Sequence, residues 1–142
     1  MIIQFTPQVS EILAYGKEEA QRLSTPYVGP EHLLLGILRQ NGQEVSSVFR
    51  KLNIDAQKIK RDIEEQLVHD VRPDVEQGEK MNLSNSANNI LKLAVLEARM
   101  QRTTKADVKH VLLGILHDKG ENKARKVLEN NNIDYDMLRN AL

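Results

Sequence analysis

Residues 32–38 read HLLLGIL, and residues 110–116, 78 positions further on, read HVLLGIL. Six of the seven letters recur in order, and self-similarity at a fixed long period marks a duplicated structural unit. The register extends in both directions. At the same offset of 78, Phe5-Thr6 falls on Leu83-Ser84, while Val9, Ile12, Leu13, Gly16 and Ala20 fall on Ala87, Ile90, Leu91, Ala94 and Ala98. Thr25 meets Thr103 and Gly42 meets Gly120. Beyond that glycine the offset becomes 79, and Val45, Val48, Phe49 and Asn53-Ile54-Asp55 meet Ala124, Val127, Leu128 and Asn132-Ile133-Asp134. Ile59 and Ile63 meet Leu138 and Leu142. Apolar positions repeat and surface positions differ, so a packing pattern has been duplicated.

The apolar positions 9, 12, 13, 16, 20 and 23 lie at helical spacing and predict an amphipathic helix over about 7–23. Thr6 suits its N-cap, and Pro7 suits a first turn, where a missing N–H does no harm. Ser84 starts the equivalent helix in the second half. The next helix begins near Pro30 and is apolar nearly all round over 33–38, so it must be buried between others. Gly36 and Gly114 lie inside this segment at a cost of about 1 kcal/mol relative to alanine, which close approach of a neighbouring helix would explain. A third helix, about 43–52, uses Val45, Val48, Phe49 and Leu52. A fourth follows an Asp55 cap and shows Ile59, Ile63 and Leu67. The second half repeats all four, with Asp107 and Asp134 as caps. Between the halves, VHDVRPDVEQGEKMN (68–82) is polar, carries Pro73 and Gly78, and reads as a linker. No window shows the period-two alternation of a strand. The expected fold is all-α: eight helices as a tandem repeat of two four-helix units, 5–67 and 83–142, about a pseudo-twofold axis in one domain over 1–142. The fourth helix of the second unit stops at Leu142, shorter than its counterpart, so the chain looks cut from something longer.

Composition narrows the function. Twenty basic and 20 acidic residues give a formal net charge of zero, without the cationic footprint that sequence-independent nucleic-acid binding requires. Nucleic acid is therefore not an expected partner. The absence of cysteine removes disulfides, thiolate nucleophiles and the common structural zinc sites. The apolar run 33–38 is too short to span a bilayer, and the N-terminus MIIQFTPQ lacks a signal-peptide layout. The expectation is a soluble, cytoplasmic protein with no membrane partner. There is no G-x-x-x-x-G-K-[ST], G-x-G-x-x-G, G-x-S-x-G or H-E-x-x-H, so no cofactor and no catalytic residue are expected. A His/Glu hydrolytic site would need a nucleophile or metal that the sequence does not offer. His32 and His110 are repeat-equivalent, His69 lies in the linker, and His117 is the fourth. They could form a metal site, but the rule that buried polar groups find partners favours hydrogen-bonded histidines at the helix starts. No metal ligand is assigned.

Helix N-termini are the remaining chemical features. Val28-Gly29-Pro30-Glu31 opens the second helix with backbone N–H groups and the positive end of the helix dipole, which suit an anion. Glu31 adds a carboxylate that could hold a guanidinium or ammonium, or could simply complement the dipole.

FTPQVSEILAYGKEEAQRL (5–23), followed by YVGPEHLLLGIL (27–38), resembles the N-terminal Clp repeat domain of the Clp family of AAA+ unfoldases, most of all its ClpC type. The family pattern there reads F-T, then A-x-x-L, then G-T-E-H-(I/L)-L-L-G-(I/L)-(I/L), and both repeats take part in the match. The resemblance implies an all-helical double repeat preceding two ATPase rings. It implies a module that recruits protein substrates and adaptor proteins, which the rings unfold and deliver to the Clp peptidase. A free-standing adaptor or regulator made of this domain alone is the alternative. In ClpC proteins the domain also recognises phosphoarginine as a degradation mark. The guanidinium meets the Glu of G-T-E-H, and the phosphate lies near the helix start and the Thr of F-T. Carried over, Glu31, Gly29 and Thr6 match those positions, with Val28 beside them, and Pro30 replaces the family Thr. The second repeat departs: Asp107-Val108-Lys109-His110 stands where a second G-T-E-H would be, with Ser84 as its hydroxyl. Lys109 replaces the carboxylate, and an Asp107 cap would occupy the anion position with its own charge. The resemblance thus implies one phosphoarginine site, at Glu31, and a degenerate second one.

Overall fold

The local signals that predict eight helices produce eight among the residues described, 4–68, 82–120 and 122–142 of a computed structural model. They are α1 (Pro7–Arg22), α2 (Pro30–Gln40), α3 (Gln43–Lys51), α4 (Ala56–Val68), α5 (Asn85–Met100), α6 (Val108–His117), α7 (Lys123–Asn130) and α8 (Tyr135–Ala141). The linker expected over 68–82, with His69, lies almost wholly outside the described residues.

The caps follow the chemistry of their residues. Asp134 Oδ1 accepts the Met137 N–H at 2.8 Å, Asp55 Oδ1 accepts that of Gln57 at 3.0 Å, and Ser84 Oγ accepts that of Ala87 at 3.1 Å. Thr6 departs from expectation. It occupies the N-cap position of α1 without a side-chain cap bond, and its hydroxyl donates instead to Asp107 Oδ1 at 2.9 Å. The repeated Asn53 and Asn132 both have positive φ, 56° and 63°, a left-handed conformation that asparagine tolerates better than most residues.

α2 and α6 form the centre. Residues 30–37 of α2 are all buried, and in α6 only Lys109 and His117 are not. α1 covers α2, and α5 covers α6. The glycines explain the closeness of these pairs. A Cβ on Gly36 would lie 2.5 Å from the Ile12 carbonyl oxygen, and one on Gly114 would lie 2.8 Å from that of Ile90. Two further contacts fix the direction of α1 against α2. A Cβ on Gly16 would meet the His32 oxygen at 3.2 Å, and Gln40 Nε2 donates to the Gln8 oxygen at 3.1 Å. The two helices are antiparallel, so the start of α1 lies by the end of α2. One apolar cluster joins both repeats, from Val9 and Leu34 through Ile63 to Leu112 and Leu138.

Two short pairings were not expected. β1 (Gln4–Phe5) runs parallel to β2 (Lys105–Ala106), with Phe5 opposite Ala106, and Val28 forms an isolated parallel bridge with Leu83. Strands of two residues are too short to show a period of two. Each pairing joins a residue of one repeat to a residue of the other. Phe5 and Leu83 hold equivalent positions in the two repeats, as do Val28 and Ala106.

Candidate functional site

These cross-repeat pairings decide which candidate residues meet. The Ser84 N–H donates to the Val28 oxygen at 2.9 Å, and the Thr6 N–H donates to the Ala106 oxygen at 3.0 Å. Ser84 therefore stands beside Val28-Gly29-Pro30-Glu31 at the start of α2. Thr6 stands beside Asp107-Val108-Lys109 at the start of α6. This corrects the grouping read from the sequence, which placed Thr6 with Glu31 and Ser84 with Lys109. The antiparallel packing of α1 on α2 carries Thr6 to the end of α2 opposite Glu31. Each helix start is completed by a hydroxyl from the other repeat.

At the first site Gly29 is the N-cap of α2 in an extended conformation, and Pro30 is the first helical residue. The Glu31 carboxylate folds back over Gly29, where an added Cβ would lie 2.5 Å from Oε1. Glycine leaves the space that this side chain fills. Glu31 is only 7% exposed, and among the described residues no lysine or arginine lies within 4.0 Å of its carboxylate. Burial raises its pKa above the ordinary glutamate range, opposed by its own backbone N–H and by Lys123 in the first turn of α7. The carboxylate lies in the first turn of α2 and is desolvated without a lysine or arginine in contact among the described residues.

His32 is fully buried and accepts the Gly29 N–H on Nδ1 at 2.9 Å. Its proton therefore belongs on Nε2, which has no hydrogen-bond partner among the described residues. Burial, reinforced by Lys123, pushes its pKa down to about 4. His110 makes the same bond to the Asp107 N–H at 2.8 Å, and its Nε2 meets Gln101 Oε1 at 2.9 Å. Both histidines serve as helix-start partners, and the described residues contain no cluster of three or more His, Asp or Glu suited to a metal.

The second site is differently furnished. Asp107 Oδ1 accepts the Val108 N–H at 2.8 Å and the Thr6 hydroxyl at 2.9 Å. Lys109 Nζ lies 3.2 Å from Glu44 Oε1, in the first turn of α3. Around them is a cleft of about 210 Å³ at the starts of α1, α3 and α6, lined among others by Gln8, Glu44, Asp107 and Lys109. Lys123 and Glu44 escaped sequence reasoning because they belong to the repeat opposite the helix start that each one faces. Their one legible signal is that they occupy equivalent positions, 79 apart, with opposite charge.

Similarity to known proteins runs along the whole chain. The Clp repeat (R) N-terminal domain family matches residues 4–142. A probable ATP-dependent Clp protease ATP-binding subunit of Chlamydia pneumoniae is 31% identical over 142 residues, covering 100% of this chain and 16% of that protein. The chain thus spans about a sixth of the curated relatives it matches. Among solved structures, the N-terminal domain of the ClpD chaperone from Arabidopsis thaliana superposes with a TM-score of 0.70 at 22% identity, covering 99% of this chain and 94% of that one. A ClpV N-domain in complex with a VipB peptide has a TM-score of 0.67 at 15% identity, covering 96% and 88%. No described helix is long and apolar enough to cross a membrane.

Proposed function

The chain belongs to the Clp repeat (R) N-terminal domain family, and from that premise we propose that it is a non-catalytic recognition module of a ClpC-like, ATP-dependent protein unfoldase that feeds the Clp peptidase. It captures adaptor proteins and protein substrates, and the ATPase rings of such a protein do the work of unfolding. The complex of a structurally similar ClpV N-domain with a VipB peptide supports a protein ligand.

Within that role the start of α2 binds phosphoarginine on marked substrates. The observation that carries this reading is Glu31, a nearly buried carboxylate with no lysine or arginine in contact among the described residues. A guanidinium supplies what that group lacks: a cation with parallel N–H donors, and such charge-assisted bonds are the strong ones. The phosphoryl group turns toward the helix start and the Ser84 hydroxyl. Ser84 Oγ accepts the Ala87 N–H and keeps its own hydrogen to donate. Pro30 contributes no N–H, so the anion relies on fewer backbone donors than the family pattern provides.

Calorimetric titration with free phosphoarginine tests this reading. One site per chain is expected. Glu31→Ala should weaken binding about tenfold to a hundredfold, the equivalent of roughly 1.5–3 kcal/mol for a lost charged hydrogen bond. Lys109→Ala should leave it nearly unchanged. Normal binding by the Glu31→Ala variant would refute the assignment.

A further inference from the structure

α5 presents to solvent a face unlike that of its counterpart α1. Leu93, Leu96 and Met100 follow one another at helical spacing along one side of α5. Leu96 is 49% exposed and Met100 57%, while the half-buried Leu93 belongs to neither apolar cluster of the described residues. Lys92 and Arg99, four residues before and three after Leu96, are its neighbours on the helix surface. Arg102 and Lys105 continue the positive charge past the end of the helix, and all four cations are exposed. None of them makes an ion pair among the described residues. Glu97, the one acidic residue of α5, is turned inward: it is buried, accepts the Tyr135 hydroxyl and lies 3.5 Å from His117 Nδ1.

At the equivalent positions of α1 the chain closes the same face with its own side chains. Tyr15 stands for Leu93, Glu18 for Leu96 and Arg22 for Met100. The Arg39 guanidinium lies over the Tyr15 ring, 4.5 Å from its centre, and 2.8 Å from Glu18 Oε2. Arg22 meets Glu19 and Glu64 at 2.7 Å each. A single exposed leucine is ordinary. Two large apolar side chains on adjacent turns, flanked by cations without ion pairs, are complementary to a surface that is both apolar and negative.

We propose that the outer face of α5 docks an acidic, amphipathic helix of a partner protein. Leu93, Leu96 and Met100 meet its apolar stripe, and Lys92, Arg99, Arg102 and Lys105 meet its carboxylates. The inference rests on the recognition-module reading above only in taking a protein as the occupant. Charge decides among the occupants. A second copy of this chain, applied through the same face, would set cations against cations. A formal net charge of zero gives the domain no long-range attraction to an anionic membrane, and two exposed apolar side chains are a small footprint for insertion. Anchors at i, i+3 and i+7 are the pattern by which helices are recognised, while the cations speed encounter and fix orientation. The surface is separate from the start of α2. Ser84, which stands beside that start, precedes Leu96 by 12 residues, about 18 Å along the helix axis. One chain can therefore hold a marked arginine and a partner helix together.

The probe is a synthetic helical peptide of about 15 residues, with leucines at i, i+3 and i+7 and glutamates on its other faces. Two controls accompany it: the same peptide with lysine for every glutamate, and one of unchanged composition with its leucines scattered round the helix. Calorimetric titration of the domain should show binding of the first peptide alone, weakening as salt is raised. The double variant Leu96→Ser/Met100→Ser should lose about tenfold in affinity for it, as should Arg99→Glu. These residues are exposed, so both variants should melt as the wild type does. Their phosphoarginine titrations should be unchanged, which separates a failure here from a failure of that reading. Equal binding of either control peptide, or full affinity in the double variant, overturns the inference. So does self-association of the wild-type domain, or its pelleting with phosphatidylserine vesicles, if the double variant abolishes it. Should a variant fail to fold, the control peptides on the wild-type domain decide alone.

Discussion

The starts of α2 and α6 are built on the same backbone plan and do opposite things with it. Both open in extended conformation, both bond a histidine Nδ1 to the cap N–H, and both are completed by a hydroxyl-bearing residue from the other repeat. Yet the first leaves a desolvated carboxylate with no lysine or arginine in contact among the described residues, and the second ties each of its charged groups to another side chain. The two starts share a backbone arrangement and differ in a few polar residues. In this fold the apolar pattern specifies architecture, and the proposed use rests on the polar residues at one helix start.

The comparison breaks most violently in the core, where the repeats should behave alike. Leu34 and Leu112 are both fully buried. Leu34→Asp and Leu112→Asp each bury an unpaired charge, which costs several kcal/mol, out of a typical total stability of about 5–15 kcal/mol. Both variants should be unfolded at 25 °C by circular dichroism. Native-like melting of either would refute the equivalence of the two central helices.

Acid should reveal the next largest difference. The folded-state pKa of His32 is about 4, below the ordinary 6.5, so the folded protein binds fewer protons than the unfolded chain across that interval. The stability from neutral His32 is complete above pH 6.5 and is lost as pH falls to 4, on the order of 3 kcal/mol. Glu31, whose pKa is raised, works in the opposite sense and offsets part of this at the acid end. Denaturant melts between pH 7 and 4 should show the decline, with His32 resisting protonation in NMR titration. A His32 that titrates normally would contradict its burial.

Gly36→Ala and Gly114→Ala sharpen the comparison further. Each new methyl meets a backbone oxygen of the covering helix, at 2.5 Å for Gly36 and 2.8 Å for Gly114. Overpacking of this kind costs about 1–3 kcal/mol, and the Gly36 variant should lose more. Equal or reversed losses would show that the first pair of helices is the more yielding. The smallest effect belongs to Gln101→Leu, which places at Gln101 the residue that its counterpart Leu23 has in the first repeat. It leaves His110 Nε2 without its partner, as His32 Nε2 already is among the described residues. About 1 kcal/mol of stability should go, and the His110 pKa should fall toward that of His32. An unchanged His110 titration would mean that its bond to Gln101 is immaterial.

Much of the fold was legible because burial writes a period into the chain. Val9, Ile12 and Ala20 fix the buried face of α1, the unbroken run in α2 demands burial on all sides, and Gly36 and Gly114 mark the close helix pairs. Asp55, Asp107 and Asp134 cap helices because a short acidic side chain suits that place. The paired strands were illegible, since two residues carry no period. The membership of each site was half legible. Glu31 and Gly29 are neighbours in sequence and stay together. Ser84, Lys123 and Glu44 reach their sites only through contacts between the repeats, which no local pattern encodes. Thr6 misled for the same reason: its chain neighbours point to a cap, and its tertiary partner, Asp107, takes its hydroxyl.

The most direct test is a crystal structure of this domain with phosphoarginine bound. The account predicts a single ligand at the start of α2, its guanidinium on Glu31 and its phosphoryl group by Ser84. At the start of α6 the bonds of Thr6 to Asp107 and of Lys109 to Glu44 should remain intact. A ligand at α6, at both helix starts, or bound away from Glu31 would contradict it.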